Sequence, residues 1–289
     1  MHEILHLLEH TLTDVVTLIP FLFVAFLIIE LIEHKLTKKT KKVIEKSGRL
    51  GPLFGSALGM IPQCGFSVLA TNLYVTRIIS LGTLIAIYLS TSDEMLPILL
   101  SQKADFNIIV ELLLIKFIIG MFCGFIIDFI IQKRNKKGKV KVKENYSICE
   151  DEHCHCGKEN ILLSSVKHTL KTLLFIFIAT FILNALMEYL GNEFIEKIFM
   201  KNSIFSPFIS SLVGLIPNCG SSIILTELYL SNVITLSSVI AGLLTGSGVA
   251  ILVLFRTNKN LKENLIILSL VYLIGVLSGM IINIIEILL

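Results

Sequence analysis

Apolar residues run through this chain in blocks too long for the core of a soluble domain, and the charged residues collect between the blocks. Four blocks, at 14–34, 108–132, 168–190 and 265–288, reach the roughly 20 residues that a membrane-crossing helix needs. Two longer blocks, 50–101 and 205–255, exceed a single crossing and are interrupted by Pro and Gly. Each predicts one Pro-broken element and one further crossing. Taken as two half-helices and a span, such a block forms a re-entrant hairpin; taken as three tilted helices, it gives five crossings per half and ten in all. The pattern predicts an all-α polytopic membrane protein.

Composition agrees with the pattern. The chain of 289 residues is 54% hydrophobic and 16% charged, with a mean hydropathy of +0.82, whereas a soluble domain carries roughly 25% charged residues. The opening stretch MHEILHLLEH has no basic region and no small-residue cleavage site, so it is expected to be retained.

The charges fix an orientation. Fourteen of the 25 basic residues lie at 35–49 and 133–143, and beside spanning helices the positive-inside rule makes both loops cytoplasmic. No aromatic residues interleave with these lysines, which argues against nucleic-acid binding.

A shift of 155 residues superimposes the two halves without a gap from Pro52 to about Ile130. Between 52 and 76, eleven of 25 positions are identical, and "MIPQCGFSVLATNLYV" at 60–75 returns as "LIPNCGSSIILTELYL" at 215–230. The organisation expected is membrane repeat one at 1–132, a cytoplasmic basic and Cys/His-rich loop at 133–165, and membrane repeat two at 166–289. With both basic loops inside, repeat one begins outside and repeat two begins inside. Both termini are then expected outside, and the repeats have inverted topology, as in many secondary transporters. Two further loops agree: 102–107 has one Lys and one Asp, while its counterpart 256–264 has Arg256, Lys259 and Lys262 against Glu263.

Pro62 and Pro217 have no N–H, so each is expected to free a carbonyl one turn earlier, at Leu58 and Val213, with Gly65 and Gly220 making a tight turn after the break. Irregular backbone survives at membrane depth where it is packed in protein or lines a wet cavity. Two breaks related by a pseudo-two-fold axis would meet near the midplane and offer Gln63, Cys64, Ser67, Asn218, Cys219, Ser221 and Ser222. A single membrane cysteine is ordinarily a small buried hydrophobe; two in register after Ile-Pro-amide are read as ligands. Asp93 and Glu94, in "STSDEMLP", and Glu227, opposite Asn72 of repeat one, are ionisable groups inside apolar blocks and so candidates for touching ion or proton. Asp93 could instead cap a short helix, and Glu227 could lie at an interface. Stripes at 51, 55 and 59, at 120 and 124, and at 275 and 279 are read as helix packing, as is Cys123.

The stretch "CEDEHCHCGKEN" at 149–160 puts Cys149, His153, Cys154, His155 and Cys156 within eight residues. Cytoplasmic thiols stay reduced, so metal binding outranks disulfides. The spacing fits no closed structural zinc site and suits a loop that captures a thiophilic or borderline cation.

At these residues the chain resembles the ten-helix heavy-metal exporters of bacteria and archaea, labelled arsenic efflux proteins or manganese transporters. The resemblance rests on the doubled Ile-Pro-x-Cys-Gly motif and the Cys/His-rich loop, and it covers nearly the whole chain. The chain is more distantly similar to permeases for trivalent organoarsenicals, whose membrane cysteines are implicated in holding substrate. The resemblance implies export of a metal ion or metalloid across the cell membrane. The candidate site is mixed: carboxylates, amides and carbonyls suit Mn²⁺, whereas thiolates suit zinc, copper(I) or trivalent arsenic.

The function expected is secondary transport by alternating access, with a divalent transition metal such as manganese as cargo and protons as the coupling ion. Arsenite or organoarsenical permeation is the alternative. The metal enters as cargo and no cofactor is expected; the other partners are the lipid bilayer and, as a candidate assembly, a second copy in a homodimer. "GLLTGSGV" at 242–249 lacks the P-loop lysine, which argues against direct ATP coupling. A membrane enzyme would need a Ser/His/Asp or His-x-x-x-His constellation at membrane depth, and a metal sensor would need an output domain. Neither feature stands out in the sequence.

Overall fold

The computed structural model describes residues 50–61, 64–92, 95–137 and 205–288, together with individual helical positions between 16 and 27 and between 166 and 181. Repeat one contributes α1 (Gly51–Gly59), α2 (Cys64–Val75), α3 (Leu81–Ser90), α4 (Met95–Ser101) and α5 (Phe106–Lys137). Repeat two contributes α6 (Ser206–Gly214), α7 (Cys219–Leu230), α8 (Leu236–Thr245), α9 (Ala250–Thr257) and α10 (Leu261–Leu288). Every helix of repeat two starts 155 residues after its counterpart, so the shift read in the sequence is also the shift of the elements. Among the described residues there is no β-strand.

The helix ends explain why the repeat is kept so closely. Pro52 and Pro207 open α1 and α6 in the first turn, where a missing N–H costs nothing. The chain leaves α2 through Arg77 at φ 60° and leaves α7 through Asn232 at φ 57°. The Ile78 and Val233 N–H groups reach back to the Leu73 and Leu228 carbonyls at 2.8 Å, so both ends are Schellman-type caps. Ser80 and Thr235 then accept from the Thr83 and Ser238 N–H groups and restart the chain as α3 and α8.

Among the described residues, four stretches are long and apolar enough to cross a membrane: Leu81–Ser101, Phe106–Lys133, Leu236–Thr257 and Leu261–Leu288. The first and third, containing α3 with α4 and α8 with α9, are mostly buried in the protein, and the other two form the outside. On α5, Leu114, Ile118, Phe122 and Ile126 make an exposed apolar stripe at helical spacing, and Leu273, Leu277, Ile281 and Ile284 do so on α10. Such a surface suits lipid. Cys123 is a free, half-buried thiol packed against the core.

Within each repeat the first, third and fifth helices pack together through the small-residue stripes. A Cβ on Gly124 would meet the Gly82 carbonyl, Pro52 and Ala86, and one on Gly279 would meet Ala241, Pro207 and the Ser237 carbonyl. Close backbone approach of this kind drives association where lipid removes the hydrophobic difference. Between repeats the packing is reciprocal: α2 lies on α9, α7 on α4, and α3 on α8. The fully buried Tyr88 on α3 shares a hydrogen bond with Thr71 Oγ1 at 2.6 Å and donates to the Ala250 carbonyl of the other repeat at 3.5 Å.

Among the described residues, one ion pair between repeats has no counterpart. Arg77, just after α2, makes a bidentate pair with Glu263 in the first turn of α10, at 2.7 and 2.9 Å. The buried Tyr74 hydroxyl also donates to Glu263. The hydrogen bond to Glu263 and its charge push the Arg77 pKa above the usual guanidinium value. In the matching positions repeat two has Asn232 and repeat one has Ile108, which cannot pair. Arg77 is half exposed, so the charge attraction itself is small; the larger loss comes from leaving a buried phenol without an acceptor. Glu263→Ala is expected to cost about 1–2 kcal/mol and Glu263→Gln, which keeps an acceptor, less than about 1 kcal/mol. Thermal unfolding of the detergent-solubilised variants checks this, and equal losses would assign the effect to charge instead.

Candidate functional site

The first discontinuity lies between α1 and α2, and between α6 and α7. The carbonyls expected to be freed by the prolines are occupied: the Ile61 N–H donates to the Leu58 carbonyl at 3.1 Å, and the Ile216 N–H to Val213 at 3.0 Å. With no proline N–H for an i+4 bond, the chain tightens to i+3 before the ring and uses those carbonyls itself. The glycines also differ from expectation. Gly65 and Gly220 are the second residues of α2 and α7, without positive φ, because the turn is complete before the cysteine. A Cβ on Gly220 would come no closer than 3.5 Å to Asn218.

Around this break the buried Asn218 caps α7, its side-chain oxygen accepting from the Gly220 N–H at 3.4 Å. The buried Ser221 hydroxyl donates to the Asn218 carbonyl at 2.9 Å. Ser67 and Ser222 are matched in role, since each carbonyl accepts the hydroxyl of the threonine one turn on, Thr71 at 2.8 Å and Thr226 at 2.7 Å. The backbones of Cys64 and Cys219 open α2 and α7, and their side chains lie outside the described set. Gln63, Asp93, Glu94 and the loop residues Cys149, His153, Cys154, His155 and Cys156 also lie outside the described residues. Glu227 is exposed, whereas Asn72, its counterpart, is fully buried with neither amide atom hydrogen-bonded among the described residues.

A second discontinuity, foreshadowed in the sequence only by the alternative in which Asp93 caps a short helix, interrupts the spans Leu81–Ser101 and Leu236–Thr257. Helix α3 stops at Ser90 and α4 starts at Met95; α8 stops at Thr245 and α9 starts at Ala250, with Gly248 at φ 54° between them. The two breaks are joined within each repeat. The Ser92 hydroxyl donates to the Met60 carbonyl at 2.7 Å, and a Cβ on Gly246 would lie 3.0 Å from the Ser222 hydroxyl.

The C-terminal ends of α3 and α8 both point carbonyls at one side chain. Lys116, in the middle of the apolar α5, is 1% exposed. Its ammonium donates to the carbonyl of Thr91, the residue capping α3, and to the carbonyl of Leu243 in the last turn of α8 at 2.9 Å. A helix C-terminus carries partial negative charge. Two such ends, one from each repeat, therefore meet on one cation.

Residues 4–196 and 160–287 match the family described as "Putative, 10TM heavy-metal exporter". The chain belongs to this family. Neither the curated proteins nor the solved structures yield a match. The family description and the apolar spans make the protein a multi-pass membrane protein of a heavy-metal exporter family.

In this exporter-family chain, no group of three or more His, Cys, Asp or Glu residues forms a metal site among the described residues. Those residues bring to the breaks hydroxyls, the capping Asn218 and the Lys116 ammonium. Lys116 is the functional candidate that sequence reasoning missed, although a signal existed: it is one lysine within an apolar span, opposite Val271 in repeat two. An ionisable group at membrane depth is a functional candidate by default.

Proposed function

We propose that this protein is a secondary transporter that exports a divalent transition-metal ion by alternating access of two inverted repeats, coupled to protons. The observation that carries this reading is the reciprocal packing of broken helices, α2 on α9 and α7 on α4. A helix flanking each discontinuity thus packs on the other repeat, so rocking one repeat against its mate would open the breaks to one side or the other. The cargo is held at the paired breaks by Cys64, Cys219, Gln63 and Asn218 with Asp93 and Glu94, while 149–156 captures metal from the cytoplasm. Thiols with carboxylates and amides favour a borderline divalent cation over a strictly hard or soft one. The family description supports metal export and argues for transport in place of catalysis.

Proteoliposomes loaded with a metal-sensitive dye and offered Mn²⁺, Zn²⁺, Co²⁺ or arsenite test the cargo. Proton-gradient-driven movement of a divalent cation is expected, and movement of arsenite alone would move the assignment to metalloid permeation. Cysteine labelling in cells tests the inverted topology: positions 137 and 259 are expected to be cytoplasmic and position 201 outside. Labelling of 137 and 201 from the same side would remove it.

A further inference from the structure

We propose that Lys116 is the resident cation of the translocation site, occupying it when cargo is absent and yielding it when cargo binds. The inference rests on the transport reading above. Its ground is the position of the ammonium, buried between the C-terminal ends of α3 and α8 and bonded to a carbonyl of each repeat. Half-helix C-termini are where transporters hold small cations, and here the cation is tethered to the protein.

Helices α1, α3 and α8, which pack on α5, contain no Asp, Glu, Lys, Arg or His, and their one other ionisable group is the Tyr88 phenol. In sequence, Asp93 and Glu94 follow Thr91 by two and three residues. Repeat two has Gly248, Val249 and Val271 in place of Asp93, Glu94 and Lys116, so both acids and the lysine are absent together. An isolated charge inside a membrane protein is costly. A carrier whose empty site is filled by its own lysine can therefore change conformation unloaded.

That role separates two kinds of transport. Exchange of labelled for unlabelled cargo needs only loaded carriers to change state, whereas net transport also needs the empty carrier to return. Lys116→Met removes the charge at similar length. In proteoliposomes with the divalent cation that the wild type moves, it is expected to cut net transport at least about tenfold while exchange stays within about threefold of wild type. Lys116→Arg, which keeps the charge, is expected to retain measurable net transport. Should Lys116→Met fail to fold, Lys116→Gln, which can still donate to the two carbonyls, carries the same expectation. Net transport and exchange falling in parallel, or neither changing, would overturn the role of Lys116 while leaving the transport reading intact. A wild-type protein that moves no divalent cation in either assay would instead overturn the transport reading itself.

Discussion

Cys64→Ser and Cys219→Ser are each expected to weaken Zn²⁺ binding about a hundredfold, near 2.8 kcal/mol at 1.4 kcal/mol per decade, while Mn²⁺ affinity stays within about threefold. Serine keeps nearly the same volume and removes the soft donor, so the change isolates sulfur chemistry from packing. Asp93→Asn and Glu94→Gln are expected to act oppositely, with the larger loss for Mn²⁺, because the hard cation depends on anionic oxygen. Direct binding of each metal to purified variants reads both effects. The two cysteines occupy the same position in their repeats and open α2 and α7 alike, so their variants should behave alike. Wild-type affinity in all four variants would mean that the doubled motif shapes the fold without binding cargo.

The largest stability effect is expected at Gly214. A Cβ there would fall on the Gly242 carbonyl and the Thr245 hydroxyl, which is itself committed to the Ser211 carbonyl at 2.9 Å and the Gly242 carbonyl at 2.8 Å. Neither backbone nor a doubly bonded hydroxyl can step aside, so α6 and α8 must separate. Gly214→Ala is expected to cost about 2–3 kcal/mol, and Gly214→Leu to prevent folding. Gly220→Ala is the control, since among the described residues its nearest neighbour is 3.5 Å away and the position is helical; it should stay within about 0.5 kcal/mol. Thermal unfolding in detergent measures both, and equal effects would show that the stripe is not a packing surface.

Much of the architecture was legible because it is written twice. Identical Pro, Gly and Cys positions at a fixed shift located the first break and the ends of its flanking helices, and the spacing of Gly120 with Gly124 announced a packed helix face. The second break was less visible, because no proline lies between Ser90 and Met95 and the repeats differ there, with Asp93 and Glu94 against Gly248 and Val249. Repeat matching finds what two halves share and passes over what one half alone possesses. Lys116 was hidden for the same reason, as its partner is Val271 and a single lysine barely changes the hydropathy of a long helix. The proline carbonyls at Leu58 and Val213 were misread because the rule of the missing N–H gives the bond that is lost and not the tighter one that replaces it.

The Arg77–Glu263 pair, with Asn232 and Ile108 in the matching places, is a latch between the repeats that has no mirror-image counterpart. In the proposed alternating-access cycle, the state that keeps this latch closed would gain a term with no equivalent in its mirror image. A term of about 1 kcal/mol would bias the unloaded population about fivefold toward one mouth. Such a bias would not choose the direction of the proposed transport. In that proposed cycle it would decide which side of the membrane the idle carrier faces, and so make apparent cargo affinity differ between the two sides. Glu263→Gln should bring those two affinities closer together.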